Sequence, residues 1–501
     1  MVRTTALLPN LGHTLKFIFV TIQLFIFQVL YSISLVTYIP TMRICILQMA
    51  PKGQSSTHQD SVVAHLQSLE TGHTFEHRLI DPAREKRSIN EVLAEKFDFY
   101  FNFISDSTHG ALAAMKQARF FESRKIPCCK FREKEEKSLP GPAQSNLLNK
   151  GPCYMCVVIA MGDACIALPP FLAKRRTQKS TQKIEVMEIA KSLDLFLCLQ
   201  TVAMRTFNER PCKATKMAGV VRLRVHRGGV VSAAGYHCHP ASILRDSLAG
   251  KLPMDSLPGG LAALINTFIA NEVLFDPQRL AVQRQISAAY DRISSRFENI
   301  LPITDLYLKG MIELFDFDGD ILDLACGKGF FGRGLQEGRN KYRRLVGCDI
   351  SRQMASICEA AGIYNEVRVE SMEMALLKCH EYLKGVDHIV CLSALHHLGP
   401  DEFVFVLALC FILANKSLTI TIDEIPETYN KHLQEKGEPW MVSWNHLARM
   451  TAFGIPKGWS LTWKQRQCSW KSGATKDDIY ATYFRFDRVG SAGEIMIGPA
   501  L

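Results

Sequence analysis

Hydrophobic and polar positions follow two alternating patterns along the last two-fifths of this chain. Short apolar runs, typical of buried strands, are separated by stretches whose apolar residues recur every three or four positions, as on one face of a helix. Such alternation predicts a parallel sheet with helices on both faces. The predicted strands are Ile321–Ala325, Leu345–Gly347, Val367–Val369, His388–Leu392 and Ser417–Ile422, with helices between them at Gln353–Ala361 and Pro400–Leu413.

Two helices are predicted ahead of this sheet. The first is amphipathic, covers Ile286–Ile300 and contains Tyr290-Asp291-Arg292, and the second covers Tyr307–Phe315. They form a helical lead-in to the first strand.

The middle of the chain has a looser pattern. Arg43–Gln48 and the alternating Phe97–Ile104 are typical of strands, whereas Asp60–Glu70 and Ala111–Ser123 have helical periods. A further α/β or α+β region therefore precedes the parallel sheet.

Near the beginning of the chain, Phe17–Ile39 runs for 23 residues without a charge. That length can span a bilayer, and it is too long for a typical signal-peptide core. Two interpretations are open: a membrane anchor, or an extension upstream of a working protein that starts at Met42.

Length and composition indicate a globular protein with more than one core, because 501 residues with 47% hydrophobic and 22% charged content exceed one ordinary domain. The predicted units are a hydrophobic segment at 1–41, a front domain at 42–275, a second domain at 280–490 and a tail at 491–501.

Charge and cysteine content restrict the partners, the compartment and the metal sites that the sequence predicts. The net charge of +10 is modest, and the basic runs lack the interleaved aromatics of a nucleic-acid surface, so no nucleic-acid partner is predicted. Sixteen scattered cysteines indicate a reducing, cytoplasmic compartment, with membrane attachment only if 17–39 is an anchor. Cys153 and Cys156 form a lone CxxC, and His237 and His239 do not complete a zinc site at their spacing, so no metal is predicted.

A glycine-rich turn follows the first predicted strand of the second domain, and Asp349 ends the next strand. Glycines allow the backbone to approach a ligand closely, and an acid at the end of the next strand can accept hydrogen bonds from a ribose. Glu370 and Ser393 fall at the ends of two further strands, and parallel strands end at one edge of a sheet. This edge is predicted to bind a nucleoside.

The segment Asp323-Leu324-Ala325-Cys326-Gly327-Lys328-Gly329, followed by Gly347-Cys348-Asp349, resembles the class I S-adenosylmethionine-dependent methyltransferases that act on small molecules. Tyr290-Asp291-Arg292 and Ser393–Leu398 resemble other motifs of that group, and the resemblance covers about Ser287–Val489. It implies a doubly wound, mostly parallel Rossmann-like sheet, S-adenosylmethionine as cofactor, and a small-molecule acceptor methylated on oxygen, nitrogen or carbon.

The resemblance also implies roles for single residues. The backbone at Gly327 and Gly329 lies against the methionine portion, Asp323 orients its amino group through the turn or a water, and Asp349 binds the ribose. Glu370 to Met372 flank the adenine, Ser393 lies near the sulfonium, and Tyr290 closes over the cofactor. The cofactor-binding residues implied are Tyr290, Asp323, Ala325, Gly327, Gly329, Asp349, Ile350, Glu370, Ser371, Met372 and Ser393.

One residue departs from the family pattern. Lys328 stands where threonine or serine is usual. It could pair with the cofactor carboxylate or crowd the turn.

An oxygen nucleophile needs a base, and His396 and His397 are the predicted catalytic residues. The alternative is that both histidines are structural: one caps the following helix, and the other packs against its neighbours. Asp423-Glu424 either touches substrate or lies in a solvated loop, and Trp440–His446 is either a substrate-side lid or a corner of the core.

The front domain resembles ATP-grasp ligases related to D-alanine–D-alanine ligase. The resemblance covers Met42 onward, Val157–Leu168, Leu195–Phe207, Val220–Val225 and Pro258–Gly260. Too short a stretch separates Pro127 from Val157 for the nucleotide-clamping subdomain, and Gly235–Pro240 lacks the magnesium-binding glutamate and asparagine. A degenerate domain is therefore predicted, and its fusion to a methyltransferase hints at tailoring of a specialised metabolite. Two alternatives stay open: an ATP-dependent carboxylate–amine ligase with an accessory methyltransferase domain, and a non-catalytic, membrane-tethered scaffold.

Overall fold

The computed structural model describes the chain in stretches between residues 42 and 489. The apolar segment 17–39 and most of the predicted helix Ala111–Ser123 lie outside the described residues. Within these stretches, none of the helices has both the length and the apolar content that crossing a bilayer demands. The described residues are 42–50, 60–81, 83–102, 121, 123–124, 153–161, 164–167, 171–175, 184–189, 193–208, 218–226, 230–237, 258–260, 262–263, 265–266, 269, 277–295, 297, 304–338, 341–383, 385–435, 443–473 and 475–489.

The front of the chain forms a three-stranded parallel sheet, called the front sheet below, in the order β2-β1-β3. Alternate residues of its central strand serve two cores: Cys45 and Leu47 pack with Ile89 on one side, while Ile44 and Ile46 face the other way. The elements are β1 (Arg43–Met49), α1 (Asp60–Ser68), β2 (Thr74–Ile80), α2 (Glu85–Ala94) and β3 (Phe99–Asn102).

A six-stranded antiparallel sheet follows, in the order β7-β6-β4-β8-β9 with β5 paired to β4. Its helix α3 packs on the sheet through buried Leu199, Ala203 and Phe207. The resemblance of this part to ATP-grasp ligases stays a prediction. The elements are β4 (Cys153–Met161), β5 (Ala164–Ala167), β6 (Phe171–Arg175), β7 (Ile184–Ile189), α3 (Leu193–Asn208), β8 (Ala218–Val225) and β9 (Val231–His237).

The third sheet has seven strands in the order β12-β11-β10-β13-β14-β16-β15, and we call it the main sheet. The predicted, mostly parallel sheet is confirmed, and β16 enters it antiparallel beside β14. The final hairpin of β15 and β16 was not predicted. The strands are β10 (Gly319–Leu324), β11 (Tyr342–Asp349), β12 (Glu366–Val369), β13 (Val386–Cys391), β14 (Ala414–Asp423), β15 (Trp459–Lys471) and β16 (Asp478–Arg488).

Helices flank this sheet, and the lead-in helix is longer at its beginning than predicted. It starts at Pro277, and Arg279 in its first turn is buried in ion pairs with Glu373 and Glu402, which an apolar pattern does not reveal. The helices are α4 (Pro277–Ile293), α5 (Thr304–Leu314), α6 (Phe330–Glu337), α7 (Arg352–Ala360), α8 (Met372–Leu377), α9 (Cys379–Tyr382), α10 (Pro400–Leu413), α11 (Tyr429–Glu435) and α12 (Leu447–Phe453).

Helix α10 has its predicted bounds, and every one of its residues is buried. A helix that is apolar all round needs cover on every side. The front sheet supplies part of that cover, because Ile44, Ile46, Phe75 and Phe101 lie in the same apolar cluster as α10. His73 Nε2 also lies 2.7 Å from a carboxylate oxygen of Asp401 at the start of the helix. The front sheet and the main sheet therefore share a core.

Candidate functional site

The glycine-rich turn begins where β10 ends. Ala325 and Gly327 have φ values of 54° and 55°, in the left-handed region, and Ser393 after β13 has a φ of 52°. This conformation is unfavourable for alanine and serine, and such strain concentrates at functional sites. Two of the predicted cofactor residues therefore lie in strained backbone at neighbouring strand ends.

Asp349, the last residue of β11, fixes this turn. One carboxylate oxygen accepts the Gly327 N–H at 2.9 Å and the other accepts the Ser351 N–H at 2.8 Å. Burial raises the pKa of this carboxyl to about 6, although both hydrogen bonds act to lower it. A carboxylate has about four acceptor positions, so Asp349 can still accept bonds from ribose hydroxyls.

Asp323 of β10 is also buried, and one of its oxygens accepts a hydrogen bond from the Tyr364 hydroxyl at 2.6 Å. Burial raises its pKa to about 7; the Tyr364 hydrogen bond lowers it and the nearby charge of Asp349 raises it. No pattern in the sequence identified Tyr364, which lies in a loop and meets Asp323 only through the fold.

Glu370 follows β12 at the same edge of the sheet. Its N–H donates to the Asp349 carbonyl at 3.1 Å, and Lys378 Nζ lies 3.6 Å from Oε1. Its Oε2 is buried and has no hydrogen-bond partner among the described residues. The next residue, Ser371, caps α8 by accepting the Met374 N–H at 3.4 Å. Met372, the first residue of that helix, has its sulfur 3.6 Å from the thiol of Cys391 on β13.

The lead-in helix α4 is bound to the end of β11. Asp291 accepts hydrogen bonds from the Ser351 hydroxyl at 2.6 Å and the Gln353 N–H at 3.0 Å, and Ser287 donates to the Ile350 carbonyl at 2.8 Å. Tyr290 and Ile350 both pack against Val282 and Ile286 of this helix. Asp291 lay inside a motif noticed in the sequence, but its role in attaching the helix was missed.

The two predicted catalytic histidines lie in a 3₁₀ turn at Leu395–His397, just before α10. His397 Nε2 is 2.6 Å from the Tyr290 hydroxyl. Burial raises the pKa of Tyr290, so the hydroxyl stays protonated and donates to His397. Tyr290 and His397 thus join the lead-in helix to the main sheet.

His396 has a different partner. Its Nδ1 lies 3.0 Å from Asp423 Oδ2, and Trp470 Nε1 donates to the other oxygen of Asp423 at 2.9 Å. Of the two interpretations of Asp423-Glu424, substrate contact or a solvated loop, the loop is wrong for Asp423, which is buried at the end of β14. Glu424 pairs with Arg466.

Because Asp423 accepts the proton on Nδ1, His396 is held in the tautomer with Nε2 as acceptor. Among the described residues, no hydrogen-bond partner meets that Nε2. His396 Nε2 is therefore the atom that can accept a proton from another molecule.

The alternative that a histidine caps α10 is not what the structure shows. Gly399 holds the cap position, and its N–H donates to Glu402 at 2.7 Å. His446 is fully buried and stacks on Phe403 at 4.2 Å, so this end of the Trp440–His446 segment is a corner of the core.

Lys328 is buried within the turn, and its carbonyl accepts a hydrogen bond from Arg333 at 3.1 Å. Both interpretations of this lysine stay open. Elsewhere in the described ranges, no three histidines, cysteines or acids converge on one point as metal ligands would.

The strand-end residues fit S-adenosylmethionine on two observations. A Cβ at Gly327 would meet no atom within 4 Å, so open space lies beside the turn. The unpartnered Oε2 of Glu370 requires a donor, and adenine and ribose both carry donors. Asp323, Asp349 and Glu370 together present acceptors at three adjacent strand ends.

Residues 321–415 match the family model of a methyltransferase domain. With the strand order of the main sheet, this match gives the chain a class I methyltransferase domain and supports S-adenosylmethionine as its cofactor. Among curated proteins, no sequence matches the chain.

Three solved structures are similar to part of the chain. Magnesium protoporphyrin IX methyltransferase from Synechocystis PCC 6803, with bound S-adenosylmethionine, is 16% identical over 41% of this chain and 83% of its own, with a TM-score of 0.26. An S-adenosylmethionine-dependent methyltransferase from Anabaena variabilis is 16% identical over 41% and 95%, with a TM-score of 0.29. The cyclopropane synthase MmaA2 from Mycobacterium tuberculosis is 13% identical over 36% and 84%, with a TM-score of 0.28. TM-scores of this size carry no argument about function.

Proposed function

We propose that the domain built on the main sheet methylates a small molecule. S-adenosylmethionine would bind at the glycine-rich turn, and His396 would be the general base. The observation that carries the proposal is the pairing of His396 with Asp423, which also accepts a hydrogen bond from Trp470, at the edge where Asp349 and the turn lie.

The cofactor-binding roles follow the strand ends. The turn at Gly327 would lie against the methionine portion, Asp323 would meet its ammonium group, and Asp349 would accept the ribose hydroxyls. Glu370, with Ser371 and Met372, would border the adenine. Tyr290 would hold the lead-in helix closed over the site through His397.

When bound, S-adenosylmethionine supplies an electrophilic methyl group on a sulfonium centre. The protein mainly positions the acceptor in line with that methyl. His396 Nε2 would remove the acceptor proton, and the Asp423 carboxylate would stabilise the imidazolium that forms. His397 already accepts the Tyr290 hydroxyl, so we assign it to positioning rather than proton transfer.

The acceptor is proposed to be a specialised metabolite carrying an ionisable hydroxyl. A base that takes a proton is needed for a hydroxyl, whereas a neutral amine already has a lone pair to attack with. Mass spectrometry of small molecules that co-purify with the protein would identify the compound, and its methylated product would be heavier by one methylene.

The test uses that acceptor with His396→Gln and Asp423→Asn. Each is expected to lower kcat about 10²- to 10³-fold, the usual contribution of a general base, while the Kd of S-adenosylmethionine changes less than about threefold. His226→Gln is the control, because His226 is an exposed histidine whose Nε2 lies 2.7 Å from the Ser232 hydroxyl in the antiparallel sheet. Absence of cofactor binding by the wild type would refute the proposed site; unchanged kcat in both variants would refute only the base.

A further inference from the structure

Tyr364 precedes β12 and lies against the glycine-rich turn, although it belongs to none of its motifs. A Cβ at Gly347 would lie 3.0 Å from two carbons of the Tyr364 ring, and a Cβ at Gly332 would overlap the same ring. Glycine inside a strand often marks the close approach of another group. Gly347 therefore leaves the room that allows Tyr364 to cross β11 and reach β10.

The Tyr364 hydroxyl joins two parts of the cofactor site. It donates to Asp323 Oδ2 at 2.6 Å and accepts the Gly332 N–H at 3.1 Å. Gly332 lies in the first turn of α6, where N–H groups have no partner within the helix. The hydroxyl thus satisfies one of these donors and supports a buried acid at once.

We propose that Tyr364 is a positioning residue for the cofactor: its hydroxyl favours the charged form of the Asp323 carboxylate and holds it in one orientation for the ammonium group of the methyl donor. This inference rests on the proposed cofactor site.

The charged form of Asp323 needs such support because burial disfavours it. A hydrogen bond donated to a carboxylate favours the ionised form. With the pKa of Asp323 at about 7 in the presence of this bond, its loss would leave the acid largely protonated at neutral pH. The other titratable groups that interact with Asp323 or Tyr364 are Asp349 and the thiols of Cys326, Cys348, Cys358 and Cys391.

The experiment is calorimetric titration of S-adenosylmethionine into wild type and Tyr364→Phe at pH 7 and pH 9. The variant is expected to bind about tenfold more weakly at pH 7, within the range for a hydrogen bond to a charged group. At pH 9 Asp323 ionises in both proteins, so the ratio should shrink to about twofold or less. The α-amino group of the cofactor titrates near 7.7–8.0, and comparison at equal pH cancels its effect.

Two controls separate this role from packing. Tyr342→Phe removes another hydroxyl of the same apolar cluster, bonded to the Ile363 carbonyl at 3.4 Å, and should change Kd less than about twofold. In an Asp323→Asn background, Tyr364→Phe should add less than about twofold, because the acid through which it acts is absent.

A loss of affinity that is equal at both pH values, or that persists in the Asp323→Asn background, would show a merely structural role and overturn the inference. If Tyr364→Phe fails to fold, 3-fluorotyrosine at position 364 replaces it. The hydroxyl of 3-fluorotyrosine is a stronger donor than that of tyrosine. The pH at which the affinity for S-adenosylmethionine changes should therefore be lower than in the wild type, and an unchanged pH profile would also overturn the inference. If the wild type binds no cofactor, the proposed function itself fails.

Discussion

The front sheet and the main sheet each have an acid where a parallel strand ends, and the two acids have different partners. Asp81 directly follows β2 of the front sheet and is bonded to its own loop, through the Ala83 N–H at 2.8 Å and Arg84 at 3.1 Å. Asp349 ends β11 of the main sheet and accepts the Gly327 N–H from the turn of the neighbouring strand.

The surroundings of the two acids shift their pKa values in opposite directions. The Ala83 N–H and the Arg84 guanidinium lower the pKa of Asp81, which is partly exposed, whereas burial raises the pKa of Asp349 to about 6. An acid at a strand end thus becomes part of a site when the neighbouring turn reaches it and water is excluded; its position in the strand order alone is not sufficient.

The largest expected effect is a loss of folding when the front sheet is removed. A chain starting at Pro277 lacks the front sheet and exposes one side of α10. Ile44, Ile46, Phe75 and Phe101 are each worth about 1.5–3 kcal/mol when buried. Their sum is a large part of the ~5–15 kcal/mol that stabilises a typical protein. We expect no cooperative unfolding transition and little soluble protein.

A chain lacking only residues 1–41 is the matched control, because it keeps every contact described above. Circular dichroism melts of both chains decide the matter. A transition of the shorter chain within a few degrees of the control would show that the main sheet folds without the front sheet.

The next largest effect is expected when each of the two acids is replaced by alanine. Asp349→Ala removes two backbone hydrogen bonds and the proposed ribose acceptor, each worth about 1.5–3 kcal/mol to a charged group, so the Kd of S-adenosylmethionine should rise about 100-fold or more. Asp81→Ala should leave it within about twofold. Calorimetric titration of both variants measures this, and equal losses would contradict the distinction drawn between the two acids.

The smallest effect is in the pH dependence of stability without cofactor. An unfolded aspartate loses its proton near pH 4, whereas Asp323 keeps it to about 7 in the folded protein. The folded state binds more protons in that window, so this group's contribution to stability is complete below about pH 4 and is lost as pH rises through about 7. Asp323→Asn should therefore gain stability relative to wild type as pH rises from 5 to 8.

Urea unfolding at several pH values measures that difference. Asp81→Asn supplies the opposite sign: its folded pKa is lowered, so its stabilising contribution is present at neutral pH and lost on acidification. A difference between Asp323→Asn and wild type that stays constant from pH 5 to 8 would contradict the burial argument.

The elements that could be predicted are those with strong local patterns. Helix α10 has the bounds expected from its sequence, because Gly399-Pro400 starts it and apolar residues continue to Leu413. The beginning of α4 was missed because Arg279 is buried through charges that lie far away in the sequence. A polar residue inside the core looks, from its sequence alone, like a surface residue.

The residues of the candidate site likewise divide into those that could be predicted from the sequence and those that could not. Glycines and acids at strand ends follow from the alternation of elements, so Asp323, Asp349 and Glu370 could be placed at one edge. The pairing of His396 with Asp423 spans 27 residues, and that of Asp423 with Trp470 spans 47. Such contacts depend on strand order and on the unpredicted final hairpin, which no local pattern specifies.

Helix α10 has a consequence for how the chain is made. The ribosome completes the segments of the front sheet long before α10 emerges, so the residues that cover this apolar helix are already synthesised when it appears. We expect this order of synthesis to limit aggregation of the nascent chain through the helix. A circular permutant that moves the front sheet behind the main sheet would have every contact of the native protein, yet would expose α10 during translation and need a chaperone to cover it.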